Sequence, residues 1–214
     1  MRILIVDDHA LFRQGLRFLL RDLEPNLEFA EAGNCDQALA MAAQPFELVL
    51  LDLHMPGTSG MDALRAMRDA FEASRIVVLS GEENPQLVRE AIDAHAAGFI
   101  PKSSTPQVML SALRLVLADG IYLPTVALKD LGDGSGEAPA QINSDRLSAT
   151  LSEKQLEVLR KAVQGKANKV IARELGIAEG TVKAHLAAAF RALGVKNRTE
   201  AVYAAARSGL QLKS

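Results

Sequence analysis

Residues 46–57 read Phe46-Glu47-Leu48-Val49-Leu50-Leu51-Asp52-Leu53-His54-Met55-Pro56-Gly57. An apolar run too short for a helix, closed by an acid and then by a Pro-Gly turn, is the pattern of a strand buried on both faces. Asp52 then sits at the carboxyl end of that strand, where open parallel sheets bind their ligands. The pattern recurs along the chain. Ile3-Leu4-Ile5-Val6 ends in Asp7-Asp8, Ile76-Val77-Val78-Leu79 ends in Ser80-Gly81, and Gly98-Phe99-Ile100 leads through Pro101 to Lys102. Four strand ends therefore carry three carboxylates, a hydroxyl and an ammonium.

Short apolar runs near 2–6, 27–32, 47–51, 75–79 and 97–100 alternate with amphipathic segments near 10–22, 34–43, 58–71, 84–96 and 105–118. Leu11, Leu16, Leu19, Leu20 and Leu23 show helical spacing in the first of these segments. Five strand–helix units predict an α/β domain, a five-stranded parallel, doubly wound sheet with helices on both faces. Asp7, Asp8 and Asp52 meet only if the first and third strands are neighbours, as in the flavodoxin-like order 2-1-3-4-5.

The chain has 214 residues, 49% of them hydrophobic, enough for one or two cored domains. No run approaches the ~18 apolar residues of a membrane helix, so no membrane partner is expected. The strand pattern directly after Met1-Arg2 does not read as a signal peptide. Cys35 is the single cysteine, which fits a reducing cytoplasm; it reads as a small helix residue.

The net charge of −2 conceals an asymmetry. Residues 1–146 hold 12 Lys and Arg against 21 Asp and Glu, whereas residues 147–214 hold 12 against 5. The basic part suits a polyanion partner. Between the two lies Gly- and Pro-bearing sequence without apolar periodicity, which is linker chemistry. The expected organisation is a first domain over 1–122, a linker over 123–146 and a second domain over 147–214.

The second domain reads as a small all-α unit of four helices. Ser152 and Gln155 form a capping-box pair, and Gly165 ends the first helix. A short helix near 168–175 stops at Gly176. Ile177-Ala178-Glu179-Gly180 reads as a turn, Thr181 to Leu193 as a third helix, and Arg198 to Ser208 as a fourth. Ala178 cannot cap, and Gly180 costs ~1 kcal/mol against alanine, so the start of the third helix is weakly held.

At the first site, three carboxylates in one cleft repel each other unless a cation joins them. Oxygen ligands suit a hard ion such as Mg²⁺, which also binds phosphate oxygens. Lys102 and Ser80 add a positive charge and a donor suited to a transferring phosphoryl group. A carboxylate can itself be the nucleophile, and Asp52 is the candidate.

Residues 1–120 resemble the receiver domain of two-component response regulators. The resemblance rests on Asp7-Asp8, Asp52 with Met55-Pro56-Gly57 and Gly60, Ser80-Gly81, Phe99 and Lys102. It implies phosphoryl transfer from a histidine kinase to Asp52. It also implies a Mg²⁺ held by Asp7, Asp8, Asp52 and the backbone carbonyl of His54. Gly81 leaves room for the phosphoryl group, and Ser80 and Phe99 match a switch pair in which the hydroxyl moves to the phosphoryl group and the ring turns inward. Receivers of this kind often carry Pro directly after the lysine, with a cis bond; here Pro101 precedes Lys102 and Ser103 follows it. The side chain of His54 lies at the cleft mouth, and His9 could hydrogen-bond near the site but reads more readily as a helix-start residue.

Two helices meeting near Gly176 resemble a helix-turn-helix, whose second helix enters the major groove. The stretch Leu151 to Ala201 resembles the LuxR/NarL/FixJ-type DNA-binding domain. The match includes Glu157-Val158-Leu159, Asn168-Lys169, Ile171-Ala172, Leu175-Gly176-Ile177, Thr181-Val182-Lys183, His185 and Leu193-Gly194-Val195. The resemblance places Asn168, Lys169, Thr181, Val182, Lys183 and His185 against DNA, with backbone contacts from Lys196 and Arg198. The expected protein is a cytoplasmic, DNA-binding transcription regulator. Phosphorylation would control its homodimerisation on promoter half-sites, with RNA polymerase as a further partner. It is not an enzyme beyond slow phosphoryl transfer and self-dephosphorylation. Three rival readings are weaker. A phosphorylation-independent regulator would usually have lost an acidic residue or the lysine, and none is missing here. An Asp-nucleophile phosphatase wants a second carboxylate two residues after the nucleophile, where His54 stands. A small-molecule sensor does not need an acidic cleft on a parallel sheet.

Overall fold

The computed structural model describes residues 1–24, 26–127, 151–195 and 197–207. Two compact units divide the chain, one of them ending at Ala127. The first contains β1 (Arg2–Val6), α1 (Ala10–Leu20), β2 (Glu28–Ala32), α2 (Cys35–Leu39), β3 (Leu48–Asp52), α3 (Gly60–Ala70), β4 (Arg75–Ser80), α4 (Pro85–Asp93), β5 (Gly98–Pro101) and α5 (Pro106–Leu117). The strands pair in parallel in the order β2-β1-β3-β4-β5, as expected.

Alternation along each strand divides the core between the two faces of the sheet. Leu4, Val6, Val49, Leu51, Val78 and Phe99 face α3 and α4, meeting Leu64, Met67, Val88 and Ile92. Ile3, Ile5, Leu48, Leu50, Val77, Leu79 and Ile100 face α1 and α5, meeting Leu16, Leu20, Leu113 and Val116. All five residues of β3 are buried, as the unbroken run Leu48–Asp52 requires.

Helix starts follow local chemistry. Asn34 accepts from Gln37 N at 2.9 Å, Asn84 from Gln86 N at 2.8 Å, and Pro85 and Pro106 occupy first-turn positions where no donor is needed. The amphipathic segment 34–43 is less helical than its pattern. α2 ends at Leu39, and the chain tightens into three-residue turns, Met41 N donating to Ala38 O and Ala42 N to Leu39 O. The apolar spacing survives because Met41 and Ala42 still pack on the core.

The packed body also runs past residue 122, where the linker was expected to begin. Phe99 N donates to Tyr122 O at 3.1 Å, and Leu123, Val126 and Ala127 join the core cluster of Phe99. This segment covers the edge of β5, which would otherwise leave backbone groups unpaired. It can approach because residue 98 is glycine: a Cβ there would stand 3.3 Å from Val116 Cγ2 and 3.4 Å from Tyr122 O.

The second unit contains α6 (Glu153–Val163), α7 (Asn168–Leu175), α8 (Glu179–Leu193) and α9 (Arg198–Arg207). Ser152 and Gln155 make the expected capping box. Gly176 and Gly194 end α7 and α8 at φ +63° and +67°, the left-handed region that glycine enters without strain. Val158, Ala162, Ile171, Val182 and Leu186 form the core. α8 begins two residues earlier than expected. Thr181 N and Val182 N both donate to Ala178 O, so backbone bonds close the first turn without a side-chain cap. Glu179 in that turn adds a favourable charge near the positive helix end. No described helix is long and apolar enough to cross a membrane.

Gly98→Val tests the edge cover. Overpacking of this kind costs about 1–3 kcal/mol. Chemical denaturation should show a loss of that size, with faster hydrogen exchange at the amides of Phe99 and Tyr122; unchanged exchange there would contradict the cover.

Candidate functional site

The ends of β1, β3, β4 and β5 gather the residues that the sequence scatters. Asp7 and Asp52 are buried, at 0% and 1% exposure. Lys102 follows β5, with its backbone N–H donating to Ser80 O at 2.7 Å, which ties this loop to the end of β4. Its Nζ lies 2.7 Å from Asp7 Oδ2 and 2.8 Å from Asp52 Oδ2. Burial disfavours the ammonium, but the hydrogen bond to Asp52 and the negative charges of Asp52 and Asp7 outweigh it and hold the pKa above the ordinary 10.5. The other oxygens are held by backbone donors: Asp52 Oδ1 accepts from His54 N at 2.9 Å and Asp7 Oδ1 from His9 N at 2.7 Å.

Asp52, Lys102 and His9 border a cleft of about 600 Å³ lined also by Phe12, His54, Gly81 and Glu82. A Cβ built on Gly81 meets no heavy atom within 4 Å, so open space lies above it. His54 Nε2 stands 3.5 Å from Glu82 Oε2 at the mouth. Ser80 is fully buried, its Oγ accepting from Glu82 N at 3.0 Å, and Phe99 is fully buried in the core. The ring of Phe99 is thus already turned inward. No described peptide bond is cis, so Lys102–Ser103 is trans.

Ligand atoms of Asp7, Asp8, His9 and Asp52 lie within 4.8 Å of one another. Asp7 Oδ2 is buried and pairs with Lys102 by distance, yet no donor meets it in hydrogen-bond geometry. A buried carboxylate oxygen left in that condition fits a cation beside it.

His9 fills both places open to it, preceding α1 and entering the cluster, its Nδ1 2.7 Å from Asp8 Oδ1. Two further residues of this site escaped sequence reasoning. Arg13 donates to Asp7 O at 2.6 Å and pairs with Glu31 at 2.9 Å. Phe12 places its ring 4.7 Å from Lys102 Nζ. The only signal for Phe12 and Arg13 was their place in the first turn of the helix after the acidic pair. Cys35 is buried, which pushes its thiol pKa up.

In the second unit, Thr181, Lys183 and Lys169 are exposed, and Asn168 and His185 are half-buried. Lys183 Nζ pairs with Glu179 one turn back at 3.0 Å. Two expected DNA contacts are corrected. Val182 is fully buried in the core, because the helical period that exposes Thr181 and Lys183 turns residue 182 inward with Leu186 and Ala189. Arg198 is 5% exposed and donates to the carbonyls of Ala162 and Lys166, tying α9 to the end of α6. Lys196 lies outside the described residues.

The comparisons with known proteins agree with this geometry. Residues 3–114 match the response regulator receiver domain, and residues 149–205 match the bacterial regulatory proteins of the luxR family. The chain belongs to the NarL-type response regulators. It is 39% identical over 209 residues to a glycerol metabolism activator of Pseudomonas putida, covering 95% of this chain and 94% of that one. It is 36% identical over 206 residues to the nitrate/nitrite response regulator NarP of Escherichia coli, covering 94% and 92%. A LuxR family DNA-binding response regulator from Silicibacter pomeroyi superposes with a TM-score of 0.52 at 36% identity, over 58% of this chain and 97% of that one. RcsB of Salmonella typhimurium shares the fold at a TM-score of 0.57 and 24% identity, over 95% and 96%. The NarL-type regulator therefore couples a receiver to a LuxR-type DNA-binding domain and acts in transcription.

Glu31 anchors Arg13 and hence α1 over the cleft. The Arg13 hydrogen bond chiefly lowers its pKa below the ordinary 4.5. A lowered acid contributes stability above its unfolded pKa and loses it as pH falls through the folded one. Denaturation of wild type and Glu31→Gln between about pH 6 and pH 3 should show the wild-type advantage shrinking with acid. A difference constant with pH would contradict this.

Proposed function

We propose that Asp52 accepts a phosphoryl group from a histidine kinase, and that this controls dimerisation and promoter binding. The observation that carries the reading is Lys102 Nζ bridging Asp7 and Asp52 at 2.7 and 2.8 Å beside an open cleft. A carboxylate oxygen of Asp52 attacks phosphorus. The P–N bond to the donor imidazole breaks, its electron pair returns to the ring nitrogen, and a mixed anhydride forms on Asp52. Lys102 then turns to a phosphoryl oxygen, and Gly81 leaves the space for it. Mg²⁺, when bound, would supply charge neutralisation for the carboxylates and the phosphoryl oxygens, held by Asp7, Asp8, Asp52 and the His54 carbonyl. Ser80 would leave the Glu82 amide for the phosphoryl group, and Phe99 would be retained inward. Slow hydrolysis of the anhydride is the only further chemistry assigned.

The basic unit then reads DNA with α8. Thr181, Lys183 and His185 would face the groove, and Asn168 and Lys169 would flank it. The Lys183–Glu179 pair is exposed and weak, so exchanging it for a phosphate or guanine costs little. Dimers would bind half-sites about one helical turn apart. The protein works in the cytoplasm, beside RNA polymerase on the promoter.

Intact mass and light scattering after incubation with acetyl phosphate and Mg²⁺ test this. Wild type should gain ~80 Da and shift toward dimer, and Asp52→Asn should do neither. Equal gains in both proteins would overturn the assignment to Asp52.

A further inference from the structure

The geometry points to Phe12 as a positioning residue for phosphoryl transfer, holding the Lys102 ammonium over the cleft by the face of its ring. The inference rests on the transfer reading above. Lys102 is a flexible side chain, and an ammonium at its tip has many places to go. Two carboxylates hold it on one side, Asp7 and Asp52. The Phe12 ring lies 4.7 Å away, inside the range at which an ammonium is attracted to an aromatic face.

The ring is half-buried, with one part seated on the core. Phe12 stands in the first turn of α1 and packs against the apolar cluster of Leu16 and Ile5. The turn is anchored by Arg13, which reaches the Asp7 carbonyl and Glu31. Helix, ring and ammonium are therefore located by one set of contacts.

The ring matters most when the carboxylates cannot hold the lysine. Phosphorylation converts Asp52 from a carboxylate to an anhydride, so the ammonium loses that partner and must follow the charge to the phosphoryl oxygens. Through this exchange the aromatic face keeps the ammonium beside the cleft. An aliphatic residue would fill the same space without the electrostatic attraction. Phe12 thus acts through Lys102 and touches no reacting atom.

The test uses the full chain with acetyl phosphate and Mg²⁺. An oxygen of Asp52 bonds to phosphorus, the bond from phosphorus to the acetyl oxygen breaks, and acetate leaves with the electron pair. Phe12 is replaced by mono-, di- and trifluorinated phenylalanine, which weakens the ring's negative face at nearly constant shape. The phosphorylation rate from intact mass should fall with each fluorine, by about five-fold across the series, while the melting temperature stays level. Phe12→Leu should lose as much as the trifluorinated ring, and Phe12→Tyr should restore most of it. A flat fluorine series in a chain whose wild type is phosphorylated overturns this inference alone. A wild type that gains no phosphoryl group overturns the transfer reading and this inference with it.

Discussion

Two carboxylates that are almost wholly buried, Asp7 and Asp52, share one ammonium, and that arrangement constrains everything around it. Like charges in a poorly solvated place repel strongly, so Asp7 and Asp52 are tolerable only with a cation between them. Their meeting requires β1 beside β3, and Lys102 arrives from β5 by way of a backbone bond to the end of β4. The strand order is thus as much part of the site as the side chains are. Moving any of these strands would separate a charge from its partner.

The same ends of strands connect the cleft to the rest of the receiver. Ser80 lies one residue before Gly81 at the cleft, and its backbone carbonyl holds Lys102. Phe99 lies in β5, bonded through its amide to Tyr122 and packed in one cluster with Leu123, Val126 and Ala127. The first residues after α5 therefore belong to the receiver core and not to the linker.

Strands, their order and the acidic cleft were legible because buried runs such as Leu48–Leu51 have one physical meaning and their ends carry unlike chemistry. Less legible were the places where tertiary packing overrides local pattern. The spacing through Met41 and Ala42 serves a tightened turn as well as a helix. Val182 stands between two exposed residues, and only the register of α8 shows that it turns inward. Arg198 has the residue type of a phosphate contact, but neighbouring carbonyls claim its guanidinium. Phe12 was invisible because an aromatic at helical spacing reads as core; its second neighbour, Lys102, is 90 residues away in sequence.

The central claim is that Asp52, and neither Asp7 nor Asp8, takes the phosphoryl group. Borohydride reduces an acyl phosphate to an alcohol and so marks the acceptor permanently. Peptide mapping by mass spectrometry after acetyl phosphate, Mg²⁺ and borohydride should find homoserine at position 52 alone. Homoserine at position 7 or 8, with Asp52 intact, would contradict the account.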